Sequence, residues 1–190
     1  ENLRQPLEDG VIHISRAAGH LSFPAKFVLV AAMNPCPCGY AGDSEKSCVC
    51  SPSQTINYKK KISGPIIDRI DLHVEVPRVK FEKLAGEQTA ENSAAIKKRV
   101  EQARKIQAQR FVSAPFITNS EMTSEAAKRF CAVDNAGMNL MKNAVDQMHL
   151  SARAYFRILK LARTIADLGG EEKITVPHLA EALQYRPKVE

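Results

Sequence analysis

The sequence is short of the features that mark membrane, fibrous and secreted proteins. Tryptophan is absent from the 190 residues, and aromatic residues make up only 6%. The longest uninterrupted apolar stretch, residues 27–33, is far below the ~18 residues that a membrane-spanning helix needs. Nine glycines and ten prolines are scattered rather than periodic, and the first residues show no signal-peptide pattern. We therefore predict a globular cytoplasmic protein without a membrane partner.

Charge is mildly unbalanced toward the basic side. The formal net charge is +6, of which +2 falls on residues 1–80 and +4 on residues 81–190. A basic excess of this size permits contact with nucleic acid without requiring it. A solvated, lysine-rich surface explains it equally well.

Cysteine is the one scarce residue type that is clustered. Four of the five cysteines form two Cys-x-Cys pairs nine residues apart, namely Cys36, Cys38, Cys48 and Cys50. Four thiolates on one loop can surround a tetrahedral Zn²⁺, which would crosslink the loop and leave no open catalytic position. Structural zinc is the favoured interpretation, with free or redox-active thiols and disulfides as the alternatives. The fifth, Cys131, is expected to be a small buried hydrophobic residue.

Residues 1–80 have an α/β pattern. They predict a helix over 2–9 stopped by Gly10, and a hairpin over 11–23 whose tip carries Arg16 and His20. Residues 27–33 read as a strand buried on both faces that ends at Asn34, the position where open α/β sheets bind ligands. The remaining predicted elements are a loop over 35–52, a helix capped by Ser53 and running to Lys61, a break at 63–65, a short segment over 66–70 and a strand over 72–76.

Residues 86–190 predict a bundle of helices. After a linker over 78–87, helices are expected at about 90–111 (capped by Thr89), 124–132, 136–149, 152–168 (capped by Ser151) and 177–184 (capped by Thr175). The fold class is therefore α/β followed by all-α. Because residues 1–80 supply too few strands for a complete α/β domain, we expect the chain to be part of a larger protein.

Two arginines occupy positions that suit anion binding. Arg69, flanked by Asp68 and Asp71, is either the centre of a buried ion pair or a rigid guanidinium presented to a phosphate at a domain edge. Arg153 lies in the first turn of a predicted helix, where a positive side chain opposes the helix dipole and a nearby anion would be favoured. An exposed arginine without a partner is the alternative for Arg153.

Several long motifs together resemble one protein family. They are residues 3–10 (LRQPLEDG), 32–39 (AMNPCPCG), 64–72 (GPIIDRIDL), 150–155 (LSARAY) and 162–168 (ARTIADL). Their order and spacing resemble the magnesium chelatase-like AAA+ ATPases of bacteria, within them the competence protein ComM family, over residues 1–186. The resemblance implies that residues 1–80 form the C-terminal half of an AAA+ core and residues 86–190 its helical lid.

The resemblance also implies roles for particular residues. Asn34 matches sensor 1, which positions the attacking water, and Arg69 matches the arginine finger that serves the ATP of a neighbouring subunit. Arg153 matches sensor 2, which contacts the γ-phosphate. The hairpin matches the pre-sensor-1 hairpin, where Arg16 and His20 would meet DNA in the pore of a ring; a plain surface hairpin is equally compatible.

The sequence departs from the family pattern in one respect. It contains no GxxxxGK[ST] phosphate loop and no apolar strand ending in Asp-Glu, the Walker A and Walker B motifs. We therefore expect the C-terminal part of an ATPase that binds ATP with Mg²⁺ only when complete, so that the chain alone neither binds ATP tightly nor hydrolyses it. The complete protein would be a hexameric ring that remodels DNA, as in branch migration. The alternatives are a non-enzymatic zinc- and DNA-binding module, which would use the cysteines and the basic helix 90–111, and the ATPase motor subunit of a metal chelatase.

Overall fold

The computed structural model of the chain describes residues 2–17, 19–62, 64–79 and 91–187. These residues form eight α-helices, one 3-10 helix and a single two-stranded sheet. They divide into a first compact unit, Glu1–Ile70 with Glu75–Val79, and a second, Asp71–Val74 with Lys80–Glu190. Most of the predicted linker over 78–87 lies outside the described residues.

The first unit opens with the predicted helix and hairpin, which the structure confirms. Helix α1 (Arg4–Asp9) stops at Gly10, whose φ of 64° is left-handed and whose amide donates to the Pro6 carbonyl. Strands β1 (Val11–Arg16) and β2 (Gly19–Pro24) pair antiparallel, with Val11 opposite Pro24. Glycine at position 10 allows this change of direction at little steric cost.

The hairpin has one polar and one apolar face. On the polar face the Nδ1 atoms of His13 and His20 lie 2.7 and 2.8 Å from the hydroxyls of Ser22 and Ser15, respectively. The apolar face carries cross-strand neighbours that stay 41–62% exposed, namely Ile12, Ile14, Leu21 and Phe23. The hairpin therefore contributes no buried core of its own.

The prediction of two further strands in residues 1–80, over 27–33 and 72–76, is wrong. Residues 27–33 form no helix or strand and pair with no strand among the described residues, and Val28 and Val30 are each 89% exposed. Residues 72–76 form no strand either, and Val76 is 85% exposed. Apolar content alone cannot make a strand, because the backbone ladder requires a neighbouring strand on at least one side.

Two short helices complete the first unit. Helix α2 (Pro52–Lys59) is capped by Ser51 rather than the predicted Ser53, through a reciprocal pair of hydrogen bonds between Ser51 and Gln54. Helix α3 (Gly64–Ile67) starts where a break followed by a segment over 66–70 was expected. Pro65 lies in its first turn, the part of a helix where a missing N–H costs nothing.

The second unit contains the predicted helical bundle. Its helices are α4 (Ser93–Arg110), a 3-10 turn (Asn119–Glu121), α5 (Ser124–Phe130), α6 (Asn135–Met148), α7 (Ala152–Leu168) and α8 (Val176–Gln184). Ser151 caps α7 as predicted, by accepting from the Ala154 amide. Asn92 caps α4, whereas the predicted cap, Thr89, lies outside the described residues.

Helix α7 forms the centre of the hydrophobic core of the second unit. Its apolar stripe is buried, since Ile158, Leu159, Ala162 and Ala166 are at most 3% exposed. Fully buried residues from the neighbouring helices join it, among them Met141 and Leu179. The apolar stripe of α4 is only partly buried: Ala103 is buried, but Ile96 and Val100 remain 41% and 43% exposed.

Candidate functional site

The four clustered cysteines meet at one point. Their sulfurs all lie within 4.8 Å of one another, and Cys36 Sγ is 3.3 Å from Cys38 Sγ and 3.6 Å from Cys48 Sγ. Four sulfurs at ~2.3 Å from a tetrahedral Zn²⁺ stand ~3.8 Å apart. The spacing of the thiols therefore fits a Cys₄ zinc site, and a disulfide, at ~2.05 Å, is far shorter than any of these distances.

Backbone turns bring the two Cys-x-Cys pairs together. Gly39 and Gly42 have φ values of 84° and 81°, which allow the chain to reverse twice within the loop. The Ala41 amide donates to Cys36 Sγ at 3.3 Å, as peptide N–H groups do for the sulfurs of metal sites. Asp43 holds the far end of the loop by accepting from the amides of Glu45 and Lys46.

The electrostatics of the cluster favour a cation at its centre. Hydrogen bonds from the backbone of Tyr40 and Val49 lower the pKa of Cys38 to about 6. The pKa of Cys50 rises to about 12: the backbone of Cys38 stabilises its thiolate, but burial and three neighbouring thiols oppose that charge more strongly. Four thiolates at this distance repel one another, and a divalent cation removes that repulsion.

The fifth cysteine belongs to the core. Cys131 is 2% exposed, and burial raises the pKa of its thiol to about 11. This confirms its predicted character as a small buried hydrophobic residue, with little reactivity at neutral pH.

Asn34 is connected directly to the cysteine cluster. It is exposed and stands two residues before Cys36, with Pro35 between them and Pro37 following. Proline fixes its own φ and restricts the residue before it, so the backbone of residues 34–37 has few accessible conformations. The position of Asn34 therefore depends on how the cysteines are held.

Arg69 is held by three groups of the first unit. Its Nε donates to the Arg4 carbonyl at 3.2 Å, one terminal nitrogen donates to the Pro65 carbonyl at 2.7 Å, and the other pairs with Glu8. The guanidinium thus connects α1 to the start of α3 and is only 14% exposed. The sequence did not identify Glu8 as its partner, because 61 residues separate the two.

The remaining predicted site residues are exposed. Arg16, opposite Gly19, and His20, opposite Ser15, both lie near the hairpin tip, but they belong to successive cross-strand pairs, so their side chains lie on opposite faces of the hairpin. Arg153 lies in the first turn of α7, in the second unit.

Sequence reasoning missed a buried ionic network in the second unit. The fully buried carboxylate of Asp167 accepts from Arg110 at 2.5 and 2.7 Å, from Arg163 at 3.0 Å and from Asn119 at 2.8 Å. Arg163 also donates to the carbonyls of residues 171 and 172. The i, i+4 spacing of Arg163 and Asp167 was the available signal, while Arg110 is 57 residues away.

Comparison with known proteins identifies the family. The family model "Magnesium chelatase, subunit ChlI" matches residues 1–84, and "Magnesium chelatase, subunit ChlI C-terminal" matches residues 90–186. The chain belongs to the magnesium chelatase family, as the motifs predicted.

The relatives are considerably longer than this chain. It is 44% identical to "Competence protein ComM" of Haemophilus influenzae over 98% of the chain and 36% of that protein. It is 39% identical to "Uncharacterized protein YifB" of Escherichia coli, over 97% of the chain and 35% of that protein. The chain thus spans about a third of the length of these relatives. Among the helices of the described residues, none has the length and apolarity to cross a membrane.

Proposed function

We propose that the full-length protein containing this chain is a cytoplasmic AAA+ ATPase that couples ATP hydrolysis to the remodelling of DNA. The observation that carries the proposal is the match of consecutive magnesium chelatase models to residues 1–84 and 90–186, which leaves little of the chain outside the family. DNA is chosen as substrate because the motifs resemble the competence protein ComM family.

Asn34, Arg69 and Arg153 take the nucleotide-sensing roles in this proposal. Asn34 orients the attacking water, and the residue is exposed at the end of the apolar segment 27–33. Arg153 contacts the γ-phosphate of its own subunit from the first turn of α7, where the helix dipole also attracts an anion. A nucleotide with Mg²⁺ would be held mainly by groups that this sequence does not contain.

Arg69 serves a neighbouring subunit as the arginine finger of a hexameric ring. Two backbone carbonyls already fix its guanidinium, so little conformational freedom remains to be lost when it meets a phosphate. In this role the contact with Glu8 is exchanged for a contact with the phosphoryl group.

The cysteine cluster binds structural zinc in this proposal. Cys36, Cys38, Cys48 and Cys50 would hold the ion, which would supply a crosslink within the loop and no catalysis, since all four positions are protein ligands. The hairpin residues Arg16 and His20 would contact DNA from the exposed tip.

Two other functions each have one observation in their favour. The Cys₄ geometry favours a non-enzymatic zinc- and DNA-binding module. The names of the matching family models favour an ATPase subunit of a metal chelatase. The three functions differ in whether ATP is hydrolysed and whether DNA alters the rate.

Arg153→Ala in the full-length protein tests the proposal. We expect ATP turnover to fall by about 10–100-fold, because a charge-stabilising donor at the transferring phosphoryl group is lost. Arg129→Ala, which removes an exposed arginine from α5, is the matched control and should keep the wild-type rate. Steady-state phosphate release with and without duplex DNA measures both.

The outcomes separate the three functions. Turnover that rises with DNA and depends on Arg153 supports the proposal. ATP turnover that does not change when DNA is added favours the chelatase subunit. A protein that binds zinc and DNA but does not hydrolyse ATP favours the non-enzymatic module.

A further inference from the structure

The N-terminal half of α4 is not used by the core of the second unit. Every residue from 91 to 102 is exposed, and the first buried position of the helix is Ala103. From there to Phe111 the helix packs into the core, with Gln107 and Phe111 only 3% and 4% exposed. About three turns of helix therefore project beyond the packing that stabilises the bundle.

The charge of α4 is strongly one-sided. Between Ser93 and Arg110 the helix has six basic residues and a single acidic one, Glu101. At 100° per residue, four of the basic side chains fall within ~120° of the helix circumference, and Glu101 lies among them. These four define the basic face, and they are Lys97, Lys98, Arg104 and Lys105.

Internal ion pairs account for little of this charge. Lys97 lies 3.9 Å from Glu101, and Arg104 contacts the neutral side chain of Gln107 at 3.4 Å. Lys98 and Lys105 are exposed, and no carboxylate of the described residues in the second unit pairs with them. Other arginines of the helix are bound elsewhere, Arg99 to Glu91 and Arg110 to Asp167. The basic face is thus a row of available cations.

We propose that the basic face of α4 binds the phosphate backbone of duplex DNA. Lys97 and Arg104 are seven residues apart, which is ~10.5 Å along a helix, and duplex DNA carries about six phosphates over that length of its axis. Exposed lysine and arginine side chains contact phosphates without reading bases. The face binds DNA of any sequence and positions it along α4.

The composition of the helix favours duplex DNA over other polyanionic partners. A single strand is held by aromatic side chains on which bases stack, and α4 has none between Ser93 and Arg110. A protein partner is usually held by aromatic or large apolar anchors; the exposed Ile96 and Val100 lie beside the basic face, which itself carries only charged and small side chains. Duplex DNA presents regularly spaced phosphates, and a row of cations can contact them without such anchors.

This inference relies on the proposed function only for the choice of DNA as the polyanion. It requires neither ATP nor the complete protein, so the 190-residue chain itself can be tested. Fluorescence anisotropy with a labelled duplex of about 25 base pairs, measured between about 50 and 200 mM salt, gives both the affinity and its salt dependence.

The test compares two triple variants with equal loss of charge. Lys97→Gln/Lys98→Gln/Lys105→Gln neutralises the basic face, and Lys128→Gln/Lys142→Gln/Lys173→Gln neutralises three exposed lysines elsewhere in the second unit. We expect the first variant to lose at least ~10-fold in affinity, and the slope of log K against log salt to flatten by about 3, since each phosphate contact contributes about 0.9. The second variant should keep both values near those of the wild type, and circular dichroism checks that all proteins remain helical.

The inference is overturned if wild-type chain does not bind the duplex, or if the two triple variants lose affinity equally, which would reflect net charge alone. A third variant, Arg16→Gln/His20→Gln, separates the inference from the proposed function. If this variant loses binding while the α4 variant does not, the basic face is excluded, but the hairpin contact of the proposed function stands.

Discussion

Arg69 has an observed structural role in the first unit and a proposed role as the arginine finger. In the first unit it joins α1 to α3 through two carbonyls and an ion pair with Glu8, whose side chain is 29% exposed, so the pair is only partly buried. Charged hydrogen bonds with a largely buried guanidinium stabilise by about 1.5–3 kcal/mol each. The same restraint would hold the guanidinium ready for a phosphate, so the fold alone does not distinguish the two roles.

A pair of substitutions distinguishes them. Arg69→Ala removes both the ion pair and the proposed finger, whereas Glu8→Gln removes the ion pair and leaves the guanidinium in place. In the full-length protein we expect Arg69→Ala to lower ATP turnover by more than ~10-fold, and less than the ~10³–10⁵ of GTPase fingers because ring subunits share the task. Glu8→Gln should retain most of the activity.

Mixing experiments provide the control. Arg69→Ala subunits combined with subunits that lack a functional Walker B motif should partly recover turnover, since each supplies what the other lacks. If Glu8→Gln and Arg69→Ala reduce activity and thermal stability to the same extent, Arg69 is only the centre of an ion pair.

At the scale of elements, the cysteine loop links two segments that would otherwise have few constraints. It connects residues 27–34, most of which are exposed, to α2, and Ser51, the cap of α2, follows Cys50 directly. A metal bound to both Cys-x-Cys pairs would fix the start of α2 and the end of segment 27–34 at once. Because the prolines at 35 and 37 limit the intervening backbone, the same crosslink would position Asn34.

We expect the reduced, untagged chain to contain about one Zn²⁺, consistent with four thiolate ligands at tetrahedral spacing. Cys38→Ser should reduce the zinc content to near zero, because a hydroxyl is a poor replacement for a thiolate. Cys131→Ala is the matched control, since that thiol lies in the core of the second unit and should not affect zinc. Elemental analysis of protein purified without chelator gives the ratio, and a wild-type chain that contains no zinc would leave four free thiols.

At the scale of the whole molecule, the two units are stabilised differently. The second unit has a contiguous core of twelve buried apolar residues centred on α7, whereas Pro6 and Cys36 are the buried positions among the described residues of the first. Burial of apolar surface is the main source of stability, at roughly 25 cal/mol per Å². The first unit therefore has little stability of its own and depends more on local crosslinks.

Hydrogen exchange should reveal this difference. Amides in the middle of α7 should exchange at least ~10³-fold more slowly than those of residues 27–33. Hydrogen bonds in a core helix break only when the whole unit unfolds, so their exchange is limited by the global free energy of unfolding. Adding Zn²⁺ to metal-free chain should slow exchange in residues 35–51 and leave α7 unchanged. Equal protection of both units, measured by mass spectrometry on peptic fragments, would contradict this view.

The sequence by itself determined the features that depend on neighbouring residues. Helix positions in the second unit follow from the periodicity of apolar residues and from caps such as Ser151, and the hairpin follows from short β-rich runs around a turn. The Cys₄ cluster was predictable because the ligands lie within fifteen residues on one loop, so local turns suffice to bring them together. The family was recognisable because its motifs are contiguous.

Only the tertiary structure decided the features that join distant residues. The pairing of Arg69 with Glu8 and of Arg110 with Asp167 spans 61 and 57 residues, and no local pattern specifies such partners. Residues 27–33 and 72–76 look like strands because they are apolar, yet a strand is defined by a neighbour with which to share hydrogen bonds. Helix α4 is a similar case: its apolar positions recur along the helix, but packing against the core begins only at Ala103, which leaves residues 93–102 exposed on all sides.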